Sequence, residues 1–219
     1  SMDENYINAL LHLCAVKLHK GDQSLFKKLI KSTHSDSPIL TTLKWVSSLP
    51  KLPEVFFQRW DFYDAIIKQS ILNRPFYEFG VYQGSSFQYL IKTFKEGYGF
   101  DTFEGLPENW NSFKKGAFST QGVIPKINGG TFVAGMFEDT LPTFFSKPRP
   151  IASVVNFDAD LYSSTVCALN YSKPIIDKDT ILIFDEFLVH ENWEQDEYRA
   201  LNEFCSKNNL TYEVLAVSY

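Results

Sequence analysis

The side chains best suited to chemistry are two pairs of acids, each at the end of an apolar run. Asp158 and Asp160 close the run IASVVNFDAD, and Asp185 and Glu186 follow ILIF. In a parallel sheet such strand ends share one edge, where the acids would repel each other unless protons or a cation intervened. Mg²⁺ prefers several oxygen ligands and usually keeps positions open for water or substrate. The pattern therefore favours a magnesium site, with simple capping of the next helix by Asp158 or Asp160 as the alternative.

A second motif precedes these acids, in the stretch FYEFGVYQGSSFQYL at residues 76–90. Glu78 ends an apolar strand, and Gly80 and Gly84 lie in a tight loop that leads into a helix. Glycines let a backbone approach a ligand closely, and the first helical turn presents free N–H groups. The acid at the strand end favours a cofactor with a positive group. The alternative is an ordinary strand-to-helix connection without a ligand.

A further acid, Asp101, ends the short apolar run YGFD about twenty residues after this glycine loop. An acid at this distance commonly binds the ribose hydroxyls of a nucleoside. The two motifs together predict a nucleoside-containing cofactor at the carboxyl edge of the sheet.

Five motifs in this order resemble the macrocin-type O-methyltransferases: EFGVYQGSS, GFDTFEGLP, GMFEDTLP, FDADLYSST and FDEF. The resemblance covers roughly residues 75–205, and five ordered motifs are more specific than one glycine loop. It implies a class I methyltransferase that uses S-adenosylmethionine and a divalent metal. Such enzymes methylate hydroxyl groups on the sugars and rings of natural products.

The resemblance also implies roles for individual residues. Asp158, Asp185 and Glu186 correspond to the metal ligands, and Asp160 corresponds to the general base. The family usually has Asp at the last ligand position, so the extra methylene of Glu186 sets this chain apart. The predicted cofactor-binding residues are Glu78, Gly80, Tyr82, Gly84, Ser85, Asp101, Thr102, Phe103 and Phe137. For the two phenylalanines, packing in the core is an equally good reading.

The order of strands and helices predicts an α/β fold with a doubly wound, mostly parallel sheet of the Rossmann-like class I type. Residues 1–72, the N-terminal region, are expected to form a helical cap, lid or dimerisation region, and residues 73–219 the cofactor-binding domain. Strands are predicted over residues 76–79, 97–100, 131–137, 151–157 and 180–184, with a helix over 54–71. Residues 102–130 are predicted to form a long loop, which in a compact domain is usually functional or mobile. Only TYEVLAVSY remains for the hairpin that ordinarily completes this fold.

Composition restricts the partners. The chain has 219 residues, 44% of them hydrophobic and 16% aromatic, which suits one domain with an appendage. A net charge of -5 argues against nucleic acid or an anionic membrane as the main partner. Three cysteines without metal spacing are typical of reduced thiols in a cytoplasmic protein. We expect a small-molecule acceptor, and either a homo-oligomer or a place in a larger assembly-line protein.

Two other functions fit parts of the sequence. A catalytically silent module could keep the fold and the cofactor as part of a larger biosynthetic protein. An NAD-dependent oxidoreductase would share the α/β fold, but the loop GVYQGSS lacks the G-x-G-x-x-G spacing of that class.

Overall fold

The computed structural model describes residues 4–219, which form a central five-stranded parallel sheet with helices on both faces. The helices are α1 (Glu4–His19), α2 (Ser24–Leu29), α3 (Pro38–Ser48), α4 (Arg59–Gln69), α5 (Ser85–Phe94), α6 (Phe137–Phe144), α7 (Tyr162–Ser172) and α8 (Glu197–Asn208). The strands are β1 (Glu54–Phe56), β2 (Phe76–Phe79), β3 (Gly97–Asp101), β4 (Gly130–Ala134), β5 (Val154–Phe157), β6 (Ile181–Phe184) and β7 (Ala216–Ser218). The predicted doubly wound α/β fold is confirmed.

A row of four phenylalanines sets the register of this sheet, whose strand order is β4-β3-β2-β5-β6. The rings of Phe100, Phe79, Phe157 and Phe184 stack across neighbouring strands, with centroids 4.8, 5.4 and 4.8 Å apart and planes within 15°. Offset stacking adds to the burial of these large rings. Because each pair is also a register pair, this phenylalanine row brings four strand ends level with one another.

The N-terminal region contributes a strand as well as helices. The helix predicted over 54–71 is partly wrong, because residues 54–56 form β1, which pairs in parallel with β7, and α4 begins only at Arg59. Helix α3 was not predicted. It lies in a separate apolar cluster with α1 that contains Cys14, Leu40 and Leu43. Pro38 at the first helical position and Val46 on the buried face explain α3 in retrospect.

The predicted strands exist, but two of their boundaries differ by more than one residue. Strand β4 ends at Ala134, whereas residue 137 was expected within it, and Phe137 instead begins α6. Gly135, with φ of 138°, breaks the strand at this point. Strand β5 starts at Val154 instead of residue 151.

The last strand does not complete the main sheet. Strand β7 pairs with β1 in a two-stranded sheet, so β6 is an edge strand in the described part of the chain. A groove of about 990 Å³ runs along β6, between this edge and residues 209–218. Within residues 4–219, no helix is both long and apolar enough to cross a membrane.

Gly80 provides a test of how the strand ends pack. A Cβ at this position would lie 1.6 Å from the carbonyl oxygen of Asp158, and φ is +91°. We expect Gly80→Ala to lower the free energy of unfolding by roughly 2–5 kcal/mol, because strain and a backbone clash add together.

Gly21→Ala is the matched control, since Gly21 has φ of +86° but open space around its Cβ position. It should cost only about 1–2 kcal/mol, from the left-handed conformation alone. Urea unfolding measures both values, and equal losses in the two variants would contradict the clash.

Candidate active site

The candidate site is a cavity of about 310 Å³ at the carboxyl edge of the sheet, directly above the phenylalanine row. Asp101, Asp158 and Asp185 each follow one of the stacked phenylalanines, so the level strand ends bring these acids to the same edge. Most of the predicted site residues line the cavity: Gly80, Tyr82, Ser85, Asp101, Thr102, Phe137, Asp158, Asp160, Asp185 and Glu186.

Three predicted cofactor residues do not line the cavity. Glu78 is fully buried beneath it, and Phe103 is 1% exposed and contacts Phe132 edge-on. The packing interpretation therefore holds for the Phe103 side chain. Gly84 lies just before α5 in the left-handed conformation, where it turns the backbone into the helix. Phe137 packs against the core and also borders the site, because it contacts Phe79 and lines the cavity.

Asp101 organises the glycine loop. Its carboxylate accepts hydrogen bonds from the backbone N–H groups of Val81, Tyr82 and Phe103, each 2.7 Å long. Charge-assisted bonds of this kind are stronger than neutral ones and fix the loop next to the cavity. Asp101 thus lies where a ribose-binding acid was predicted, and it also holds the loop in shape.

The acids at the ends of β5 and β6 share a cation from the N-terminal region. One guanidinium nitrogen of Arg59, Nη2, lies 3.3 Å from Asp158 Oδ2 and 3.3 Å from Asp185 Oδ1. Burial lowers the pKa of Arg59, but Asp185, Tyr63 and Asp158 outweigh this effect and raise it overall. Arg59 was missed from the sequence because it begins an unremarkable helix far from any motif.

The backbone turns at Asp160. In an extended chain after β5, Asp158 and Asp160 would point to the same face, but Asp160 has φ of +60°. The chain is therefore not extended there, although both acids line the cavity. Burial, followed by the nearby charges of Glu186 and Asp185, raises the pKa of Asp160 to about 7. A left-handed non-glycine residue is strained, which is common at functional sites.

Asp158 and Glu186 also titrate above their usual range. The pKa of Asp158 is raised by burial and then by the charge of Asp185. The pKa of Glu186 is raised by the same two causes. Two hydrogen bonds fix the main chain of Glu186. Its N–H donates to the buried Glu197 at 3.0 Å, and its carbonyl accepts from His190 at 2.8 Å. The His190 ring thus lies behind the acidic edge, by which we mean the ends of β5 and β6 with Asp158, Asp160, Asp185 and Glu186.

Two of the three predicted metal ligands fit a hard cation by their chemistry. The carboxylates of Asp158 and Asp185 already converge on one positively charged nitrogen, which is what a divalent ion requires of them. Glu186 lines the same cavity. Within the part of the chain that the structure describes, no three His, Cys, Asp or Glu side chains group closely enough to hold a metal ion. The third ligand therefore stays a prediction.

Aromatic side chains border the mouth of the cavity. Phe118 lines the cavity, and its ring contacts Tyr82 at 6.0 Å and Phe113 at 4.8 Å. All three rings are more than a third exposed. Phe113 and Phe118 belong to the long loop over residues 102–130 that was predicted to be functional or mobile. The sequence did not single them out, because aromatic residues at a site and aromatic residues in a core look the same in a sequence.

Comparison with solved structures places the chain in the class I methyltransferase fold. The calicheamicin methyltransferase CalS11 superimposes with a TM-score of 0.56 at 21% identity, covering 98% of this chain and 90% of that chain. The O-methyltransferase NovP gives a TM-score of 0.52 at 19% identity, covering 71% of this chain and 74% of that chain. At these identities the two similarities establish the fold.

A family match goes further. Residues 115–219 match the macrocin-O-methyltransferase (TylF) family, which confirms the resemblance seen in the motifs. The matched region contains the acids of β5 and β6 and leaves the glycine loop outside. Family match and fold together support an S-adenosylmethionine-dependent O-methyltransferase. No curated protein matches the chain.

Glu78 makes the stability of the folded protein depend on pH. Its side chain is fully buried, one oxygen accepts from Ser86 Oγ at 3.0 Å, and Oε2 has no hydrogen-bond partner in the described structure. Burial raises the pKa of Glu78 to about 8, although the Ser86 hydrogen bond opposes this. The folded protein therefore keeps a proton that the unfolded chain loses above its ordinary pKa of about 4.3.

The stability supplied by this proton is complete below pH ~4.3 and declines until about pH 8, because the folded state binds more protons in between. Glu78→Gln should remove that decline, so between pH 5 and 8 its stability relative to wild type should rise by on the order of 1–4 kcal/mol. Urea unfolding at several pH values measures this. Glu194→Gln, on the surface, is the control, and parallel profiles for wild type and Glu78→Gln would count against a buried neutral Glu78.

Proposed function

We propose that the protein transfers a methyl group from S-adenosylmethionine to a hydroxyl of a small natural-product acceptor, on a sugar or a phenolic ring, with help from a divalent metal such as Mg²⁺. The observation that carries the proposal is one cavity that joins the glycine loop and Asp101 to the acids at the ends of β5 and β6. A cofactor and an activated hydroxyl could therefore meet there. The acceptor class also agrees with the matched family, a macrocin-O-methyltransferase family.

The cofactor would lie along the ends of β2 and β3. Asp101 would bind the ribose with the part of its carboxylate that the loop leaves free, while Gly80 allows the close approach. Ser85, at the start of α5, would present a free N–H group to the cofactor, and Tyr82 would lie beside it. Glu78 would contact the cofactor only indirectly, through Ser86, which donates a hydrogen bond to it and itself lines the cavity.

The metal would be held by Asp158 and Asp185, with Glu186 as the proposed third ligand. Bound there, a divalent ion supplies positive charge that lowers the pKa of the acceptor hydroxyl. Asp160 would take the hydroxyl proton, and the oxygen would attack the methyl carbon as the bond to sulfur breaks. Holding the two reactants in line in a sheltered cavity would supply much of the acceleration.

The exposed rings of Tyr82, Phe113 and Phe118 support an acceptor with a flat or ring-shaped apolar face. Aromatic side chains contribute large contact areas to ligand sites that need few polar groups. We further propose a cytoplasmic location, in keeping with the three free thiols Cys14, Cys167 and Cys205. A homo-oligomer or a larger biosynthetic protein remains the proposed setting.

Binding of the cofactor product is the most direct test. S-adenosylhomocysteine should bind the purified chain, NADH should not, and isothermal titration calorimetry measures both. Asp101→Ala should weaken S-adenosylhomocysteine by roughly 1–3 kcal/mol, because ribose hydroxyls lose an acceptor. Tight NADH binding without S-adenosylhomocysteine binding would instead favour an oxidoreductase. Binding without methyl transfer to any hydroxyl acceptor in a panel would favour the silent module.

The roles of Asp158 and Asp160 can be separated by matched substitutions. Asp160→Asn should keep S-adenosylhomocysteine and Mn²⁺ binding but reduce turnover by roughly 10² to 10⁴, the usual contribution of a positioned general base. Asp158→Asn should weaken Mn²⁺ itself, and excess metal should restore part of its activity. Normal turnover by Asp160→Asn, or rescue of its activity by metal, would indicate that solvent and not Asp160 accepts the hydroxyl proton. Full wild-type activity in excess chelator would remove the metal from the mechanism.

A further inference from the structure

The starting observation is that a guanidinium group lies between the two carboxylates assigned to the metal. Arg59 Nη2 is 3.3 Å from an oxygen of Asp158 and 3.3 Å from an oxygen of Asp185. Arg59 comes from α4, within the N-terminal region, and it also lines the cavity. The fold therefore carries its own cation at the acidic edge.

Arginine and a divalent ion would use the same oxygens. Mg²⁺ binds carboxylate oxygens at about 2.0–2.1 Å and demands near-ideal octahedral geometry. A guanidinium held against the same two oxygens would occupy part of that coordination sphere and repel the incoming ion. The Arg59 guanidinium and a divalent ion therefore cannot keep full contact with Asp158 and Asp185 at the same time.

Only the side chain of Arg59 is free to give way. Helix α4 is anchored to α5, because Trp60 stacks on Tyr89 with centroids 4.5 Å apart and Tyr89 donates to Asp64 at 2.6 Å. The Arg59 side chain, in contrast, is 45% exposed, so it has a path into solvent. The guanidinium can leave the acids while the helix stays in place.

We propose that Arg59 and the divalent metal compete for Asp158 and Asp185, and that metal binding displaces the Arg59 side chain. This inference rests on the proposed function, since it takes the metal assigned there as the competitor. Without metal, Arg59 keeps two neighbouring carboxylates together and neutralises part of their charge. With metal, it is released towards the mouth of the cavity. Arg59 is thus a positioning residue that sets how much metal the site needs.

Mn²⁺ binding, followed by electron paramagnetic resonance, tests the competition directly. Arg59→Gln should bind Mn²⁺ about threefold to thirtyfold more tightly than wild type, since a partly exposed ion pair no longer has to be broken. Arg74→Gln is the matched control, because Arg74 pairs with Asp177 at 3.0 Å outside the site, and its affinity should not change. An unchanged or weaker affinity in Arg59→Gln would overturn the proposal.

A second measurement uses the wild-type chain and so does not depend on the folding of a variant. Phenylglyoxal should label Arg59 faster when Mn²⁺ is present, while labelling of Arg74 stays constant, as read by peptide mass spectrometry. Equal labelling of Arg59 with and without Mn²⁺ overturns the competition. If Mn²⁺ binds neither wild type nor Arg59→Gln, the proposal also fails. S-adenosylhomocysteine titration then still decides independently whether the methyltransferase function stands.

Discussion

The stacked phenylalanine row is the interaction on which the site depends. Strands β2, β3, β5 and β6 each carry a buried or half-buried phenylalanine at or next to their last position, and the four rings stack in register. If one strand slipped by a single residue, its phenylalanine would leave the row and its following residues would turn to the other face. The same contacts that stabilise the core therefore determine which groups reach the cavity.

The carboxylates at the acidic edge repel one another, and this repulsion has to be compensated by other groups. Asp158, Asp160, Asp185 and Glu186 line one small cavity, and burial raises the pKa of the most enclosed of them. Some of this repulsion is relieved by protons and some by Arg59. A substrate-sized cavity with this charge is suited to bind a cation, and a sulfonium cofactor or a divalent metal would supply one.

The N-terminal region contributes a side chain to the candidate site. Helix α3 contacts the segment that follows β6, because Thr41 accepts from the Trp193 indole at 3.0 Å and Thr42 accepts from the Val189 N–H at 3.1 Å. Helix α4 contributes Arg59 to the acids. The acidic edge and the segment that follows β6 thus both contact this region. A substitution in the region that breaks these contacts would therefore affect the candidate site.

The sequence by itself determined the alternating α/β fold, the glycine loop and the acids at the strand ends. Local patterns carry these features, since apolar runs, glycines and terminal acids are adjacent in the chain. Tertiary structure alone decided the partnership of Arg59 with Asp158, because the two residues are 99 positions apart. It also decided the left-handed turn at Asp160, the burial of Glu78 beneath the cavity, and the pairing of β1 with β7. Such features depend on packing between distant segments, which leaves no periodic signal in the sequence.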